Sequence, residues 1–426
     1  MEQSSYVTAI DIGTTKIAAI IGKVTPNGKI LIEEQQCTYS RGVRRGLVEN
    51  VEDTVDSIKE CLGKLYSKLD VRQDRVVVGI AGRHILSRQS SAKVIRTKAR
   101  AVITEGEVRK LKEQMNNIAL KPGQEILKVI TQDYIIDGEP VQKAVGCQGN
   151  ELIGSYYIVL SDASAIDKIR MCISRCGLTL DNLVLEPIAS AEAVLTGEEK
   201  EAGTALLDVG GGTSDMLIYY KNIVRATAVI PCGGEVITED IRDTYKISRQ
   251  MAERLKCGYG SCLEECCSED VIIPYYKDVA RREVGQISEK NLAGVINDRM
   301  EQIVDALDYT IKESGFEREV SSVVLTGGGS LMKHLPQLVK LRTGLDARVG
   351  YPRVQKVADS RCYRFSPIMA TSVGLMMSGY LASGSETPIE KLICKLPIVK
   401  KVKDKMKGLL ESYFDEEKDP HRIVGA

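Results

Sequence analysis

The chain has 426 residues, more than one ordinary core encloses, so roughly two to four domains are expected. Its 58 Lys and Arg balance 58 Asp and Glu, which gives no global basic field for nucleic acid, and no apolar run reaches transmembrane length. Residues 1–11 lack a cationic start followed by an apolar stretch, so no secretory signal is expected, and the 12 cysteines read as reduced thiols rather than a disulfide scaffold.

The first element is AIDIGTTKIAAIIGKV, Ala9 to Val24. A strand ends in Asp11-Ile12-Gly13, hydroxyls follow at Thr14 and Thr15, and Lys16 opens an alternating apolar strand. Lys29 to Tyr39 adds a third strand. Arg41 to Asn50 reads as a loop, Val51 to Leu69 as a helix with Val55, Ile58, Leu62, Leu65 and Leu69 on one face, and Val76 to Gly82 as a buried strand. The order then changes. His84 to Arg100 is rich in Ser, Lys and Arg, and a helix starts at Thr104, whose partner Glu107 completes a capping box. Strands follow at Ile126 to Gly138 and Gly154 to Leu160, then a helix from Asp162 to Cys176. Residues 85–163 are therefore expected to form a small inserted α+β subdomain.

Leu178 to Leu195 returns as a strand and a helix, with Pro187 at the helix start. Glu186 at that junction has two readings: a charge complementing the helix dipole, or a group orienting the water that attacks a terminal phosphate. Next comes LLDVGGGTSDMLIY, Leu206 to Tyr219, again a strand, a glycine turn and a strand. Gly210, Gly211 and Gly212 let bare backbone approach a ligand, and successive N–H groups with the Thr213 and Ser214 hydroxyls make an anion site. Asp208 beside phosphates would hold Mg²⁺ through water. A merely glycine-rich hairpin is the plainer alternative, but the Asp11 hairpin has the same grammar. Two such hairpins, one opening each half, point to duplicated domains facing one nucleotide.

A third strand, Asn222 to Ile230, precedes Gly233 and Gly234, which lead into a helix. Ser248 to Lys256 is a further helix on which Glu253 and Lys256 share a face, either as a surface ion pair or as a pair reaching the sugar and base. Cys257, Cys262, Cys266 and Cys267 match no paired zinc spacing and read as small apolar side chains. After a long amphipathic helix, Asn291 to Gly315, the strand VVLT ends in Gly327, Gly328 and Gly329, a turn against which an adenine ring would lie flat. Ile368 to Tyr380 is an apolar helix and Leu381 to Thr387 a linker start. In the last segment Val399, Val402, Met406, Leu409, Leu410, Tyr413 and Phe414 make an apolar stripe opposite Lys400, Lys401, Lys403, Lys405 and Lys407. That pattern suits an in-plane membrane anchor, or a helix docked on the protein's own core; the linker and lysine density favour the membrane, although the acidic run Asp415 to Glu417 opposes it.

Together AIDIGTTK, LEPIASAEAVL, LLDVGGGTSD and VVLTGGGSLM resemble the two phosphate loops, the first connecting segment and the adenosine loop of the actin superfamily. Within it, the inserted subdomain, the GGE followed by AERLK, and the basic terminal helix resemble the FtsA family of bacterial cell-division proteins. The resemblance implies an α/β, actin-like fold of duplicated ribonuclease H-like domains with an inserted small α+β subdomain and a C-terminal amphipathic helix. Its expected segments are 1–84, 164–202 and 367–381 for the first half, 85–163 for the insertion, and 203–230, 231–318 and 319–366 for the second half. A linker (382–396), the membrane helix (397–417) and a tail (418–426) follow. It further implies ATP and Mg²⁺ between the halves, self-association into filaments, and tethering of the FtsZ C-terminal tail, with other division proteins, to the cytoplasmic face of the membrane at the division septum.

Carried over by residue, Asp11, Gly13, Thr14, Thr15 and Lys16 would hold phosphates from one side and Asp208, Gly210, Gly211, Gly212 and Thr213 from the other, with Asp11 and Asp208 near Mg²⁺. Gly234, Glu235, Glu253 and Lys256 would border ribose and base, and Gly327, Gly328, Gly329 and Met332 would hold adenosine. Asn297 and Arg299 are the candidates for the FtsZ tail. Hydrolysis is expected to be slow at most, with Glu186 the single candidate for positioning water. The cysteine cluster and the residues after Asp419 depart from the family pattern. A PilM-type pilus-assembly adaptor and a small-molecule kinase of the same superfamily are the alternatives.

Overall fold

The structure, a computed structural model, describes residues 6–24, 30–96, 101–276, 284–356 and 362–384. The chain divides into a large unit, Met1–Gly379, and a second, Tyr380–Ala426, of which the end of helix Ala370–Gly384 is described. That helix begins after a short 3₁₀ turn and runs through residues 381–384, where a linker was expected. The stripe of Val399, Val402, Met406, Leu409, Leu410, Tyr413 and Phe414, and the lysines at 400, 401, 403, 405 and 407, lie outside the described residues.

Two sheets of the large unit share one topology. In the first, strands Ile30–Tyr39, Lys16–Val24, Tyr6–Ile12, Arg75–Ile80 and Thr179–Leu185 lie side by side in that order. In the second the order is Ile223–Ile230, Ser214–Tyr220, Thr204–Val209, Ser322–Thr326 and Asp346–Val349. In both, three antiparallel strands from one meander continue into two parallel ones. The central strands Tyr6–Ile12 and Thr204–Val209 are buried almost throughout because helices cover both faces, which explains their continuous apolar runs. Ile58, Leu65 and Ile173 close the core of the first half; Ile296, Met300, Ile303 and Leu307, one stripe of helix Glu289–Glu313, close that of the second.

Two local expectations are corrected. Arg41 to Asn50 is not plain loop but contains the hairpin Val43–Arg44 and Leu47–Val48. Strands Arg353–Lys356 and Cys362–Arg364, expected within the second half, extend the first sheet instead, where Arg353–Lys356 pairs in parallel with Ile30–Tyr39 and covers an otherwise open edge.

The inserted subdomain is a four-stranded antiparallel sheet in the order Leu86–Ile95, Glu151–Asp162, Gln124–Ile136, Glu139–Val141, covered by helix Glu105–Asn116. Thr104 and Glu107 form the expected capping box. Glu107 also receives Arg96 Nε at 2.8 Å, while Arg96 Nη1 donates to the carbonyls of Ala101 (2.8 Å) and Gly149 (2.7 Å). The Arg96 bond and the Thr104 N–H hold the Glu107 carboxyl down at about 2, against an ordinary value of 4.5. A depressed folded pKa contributes stability in full above the unfolded value and loses it as pH falls toward the folded one. Glu107→Gln should therefore flatten the loss of protection of helix Glu105–Asn116 between about pH 5 and pH 2, read by amide hydrogen exchange. An unaltered pH dependence would refute the assignment.

Candidate functional site

The two hairpin turns are built alike. Gly13 N–H donates to the Lys16 carbonyl at 3.0 Å, and Gly210 N–H to the Thr213 carbonyl at 2.9 Å. In each hairpin the aspartate closing the first strand pairs with the residue seven positions on: Asp11 with Ala18, Asp208 with Asp215. The turns approach each other from opposite halves. A Cβ added to Gly211 would lie 2.3 Å from Thr15 Cγ2, and one added to Gly212 would lie 2.5 Å from Thr14 Oγ1. Only glycine permits that approach.

Behind the turns lies a concentration of buried carboxylates. Asp11 receives Lys16 Nζ at 2.9 Å. Burial works against the lysine charge, yet the Asp11 carboxylate outweighs it and holds the Lys16 pKa above its ordinary value. Asp208 accepts from Ser190 Oγ at 2.6 Å and Thr371 Oγ1 at 3.4 Å; burial chiefly, and Asp11 as well, still raise its pKa. Asp215 accepts from Thr213 Oγ1 at 3.2 Å, while its Oδ1 is buried without a partner. Burial and the facing Asp208 push it up to about 8. Glu186, the first residue of helix Glu186–Val194, is raised well above the carboxylate range by burial and then by Asp11, Asp215 and Asp208. Its carboxyl packs over Gly79, whose added Cβ would meet Oε1 at 2.8 Å. Both readings of Glu186 need a helix start, and its burial among the aspartates favours the one that looks into the cleft.

Lys16 pairs with Asp11, while burial and mutual repulsion hold Glu186, Asp208 and Asp215 toward their neutral forms, so a cation entering the site would favour their ionisation. Burying unpaired charge is costly unless a cation joins it. The donor set is all hard oxygen, as Mg²⁺ prefers, and the orphaned Oδ1 of Asp215 is an acceptor awaiting a donor such as a metal-bound water. Among the described residues no three such side chains are arranged to grip a metal directly, so the fit is to an ion that keeps its waters.

The second half closes the site. At the start of helix Gly234–Tyr245, Gly234 N–H donates to the Gly210 carbonyl at 2.9 Å and Glu235 N–H to that of Gly211 at 2.8 Å. Lys256 Nζ lies 2.8 Å from each of the Gly234 carbonyl, Thr238 Oγ1 and Glu253 Oε2. The Glu253–Lys256 pair is thus tied to the glycine turn rather than free on the surface, and Glu235 pairs with Arg249. Gly327, at φ 77°, abuts Asp208: an added Cβ would lie 2.3 Å from Oδ1. Gly329 packs on Val209, and Gly328 and Met332 follow in the same turn, with the Met332 sulfur against Gly260.

Asn297 and Arg299 are not brought to this cleft and are engaged internally. Asn297 Nδ2 donates to the Cys262 carbonyl at 2.6 Å, and Arg299 binds both oxygens of Asp240 at 2.8 and 3.1 Å. Asp215, Ser190 and Thr371 are site residues that the sequence reading passed over. Asp215 carried a usable signal, its seven-residue offset from Asp208. Thr371, 163 positions from its partner, carried none.

A family model described as cell division protein FtsA matches residues 205–374, and a second, described as the SHS2 domain inserted in FtsA, matches residues 82–160. The cell division protein FtsA of Neisseria meningitidis serogroup B is 34% identical over 389 residues, covering 90% of this chain and 92% of that one. Its Pseudomonas aeruginosa counterpart is 33% identical over 384 residues, covering 89% and 90%. Among solved structures, the PilM–PilN type IV pilus biogenesis complex aligns with a TM-score of 0.62 at 16% identity, over 88% of this chain and 98% of that one, a likeness of fold alone. With the duplicated actin-like halves, the inserted subdomain and relatives at a third identity along nearly its whole length, the chain belongs to the FtsA family of cell-division proteins.

Proposed function

We propose that this protein binds ATP with Mg²⁺ between its halves, self-associates into filaments, and tethers the FtsZ tail to the cytoplasmic face of the membrane at the division septum. The observation that carries the nucleotide reading is the meeting of two equivalent hairpin turns, Thr14–Thr15 against Gly211–Gly212, in front of buried Asp11 and Asp208. Turn N–H groups, hydroxyls and Lys16 supply donors for phosphate oxygens. Asp11 and Asp208 would hold Mg²⁺ through its waters, and the bound ion would offset phosphate charge. Gly327, Gly328, Gly329 and Met332 would flank adenosine, with Gly234, Glu235, Glu253 and Lys256 at the ribose. Glu186 would orient water, and with no stronger base in view hydrolysis would be slow.

Closure of the halves on nucleotide would alter the surface offered to the next copy, which links ATP to filament growth. No helix among the described residues is long and apolar enough to cross a membrane; in this reading residues 397–417 lie in the lipid surface. The sequence relatives, named for cell division, support this reading over the pilus-adaptor alternative, whose likeness extends to the fold.

Lys16→Ala combined with Asp208→Ala should weaken MgATP binding by about tenfold or more in equilibrium titration, as expected for lost charge-assisted contacts. Unchanged affinity would reject the site. Deleting Val399 to Phe414 should abolish co-sedimentation with anionic liposomes; undiminished binding would reject the anchor.

A further inference from the structure

The hairpin Val43–Arg44 and Leu47–Val48 carries two exposed arginines at its tip, and neither the Arg44 nor the Arg45 side chain has a hydrogen bond or ion pair among the described residues. The tip is fastened to the first glycine turn, since Gly46 N–H donates to Thr14 Oγ1 at 3.1 Å. Arg45 has φ 48° and Gly46 φ 74°, positive at both central positions as in a type I′ turn. Asn or Gly adopts that left-handed backbone at less cost than Arg, so turn formation alone does not account for an arginine there. Charge also reaches across the cleft. The Cys232 thiol, raised chiefly by burial, is drawn back down by Arg299 and by Arg45. Cys232 belongs to the opposite half, where its carbonyl accepts from Ser214 Oγ at 2.7 Å just before Gly233.

A triphosphate carries about four negative charges at neutral pH, and it would enter a cleft already holding Asp11, Glu186, Asp208 and Asp215. The ammonium groups at hand are both engaged, Lys16 with Asp11 and Lys256 with Gly234, Thr238 and Glu253. Arg44 shares the tip and is equally unpaired among the described residues, but Arg45 is the arginine set at the left-handed turn position of the loop that touches Thr14 and the one whose charge is felt at Cys232 on the opposite half. We infer that Arg45 is a nucleotide-binding side chain whose guanidinium pairs with the terminal phosphate of a nucleoside triphosphate, so that the cleft distinguishes triphosphate from diphosphate. The assignment rests on the nucleotide reading proposed above.

The test is equilibrium binding of MgATP and MgADP to the full chain and three variants: Arg45→Gln, Arg45→Asn and, as a control from the same turn, Arg44→Gln. Arg45→Asn creates the Asn-Gly pair that I′ turns favour, so it should melt no lower than wild type while lacking the charge. Both Arg45 variants should lose about tenfold or more in MgATP affinity and less than about threefold in MgADP affinity, with Arg44→Gln near wild type for both. Equal losses for the two nucleotides, no loss of MgATP affinity in a well-folded Arg45→Asn, or an equal effect from Arg44→Gln would overturn the assignment. A wild-type chain with no affinity for either nucleotide would overturn the nucleotide reading itself, and this assignment with it.

Discussion

A cluster of carboxyl groups buried where two halves of a chain meet is the constraint on which the site depends. Asp11 and Asp208 end equivalent strands, and the fold brings both, with Asp215 and Glu186, behind a pair of touching turns. Lys16 answers one of these charges, and Ser190 and Thr371 solvate another. Burial disfavours the charged forms of the others, so a cation there would be stabilised by their ionisation, beside backbone donors suited to anions. A magnesium nucleotide meets both needs at once, because its metal and its phosphates carry opposite charge. The same reasoning explains why the turns are glycine at 211 and 212: any side chain there would strike Thr14 and Thr15.

The rest of the large unit ties this cleft to its surroundings. Residues of the inserted subdomain, the connecting helix and the second half, among them Val159, Ile188 and Leu217, share one apolar cluster. Arg225, almost fully buried in the second half, donates to Asp133 of the inserted sheet at 2.7 Å and stacks near Tyr220 and Phe316. Tyr157 OH receives the Thr227 N–H at 2.8 Å across the same seam. Arg225 is the buried member of the pair and Asp133 is half-exposed, so loss of Asp133 would take a charged partner from a desolvated guanidinium; these contacts hold the inserted subdomain against the second half. A change in the angle between the halves would therefore be felt by the inserted subdomain. That is a physical route from nucleotide to a surface lying away from it.

Much of this was legible in the chain because the signals are local. An aspartate closing an apolar strand, a short polar turn and a second apolar strand identify a hairpin without help from the rest of the protein, and finding it twice reveals the duplication. The capping box at Thr104 and Glu107 is equally self-contained. What escaped depends on pairing across distance. Thr371 reaches Asp208 from 163 positions away, whereas Asp215, set opposite Asp208 by the register of its own hairpin, could have been found. Strand Leu86–Ile95 was given no element in the sequence reading because one of its faces meets solvent, leaving Ser, Lys and Arg to dominate its composition. The short strands at 353–356 and 362–364 have too few residues to show a period, so their place on the first sheet could not be read. Asn297 and Arg299, the candidates for the FtsZ tail, also bond to Cys262 and Asp240 within their own half, contacts that the sequence does not reveal.

Hydrogen exchange of the full chain with and without MgATP tests the central claim most directly, since it reads both turns in one experiment. If the two hairpins grip one ligand, the amides of residues 12–16 and 209–214 should gain protection together, at the same nucleotide concentration. Protection confined to one hairpin, or gained by neither while nucleotide is bound, would contradict a shared site.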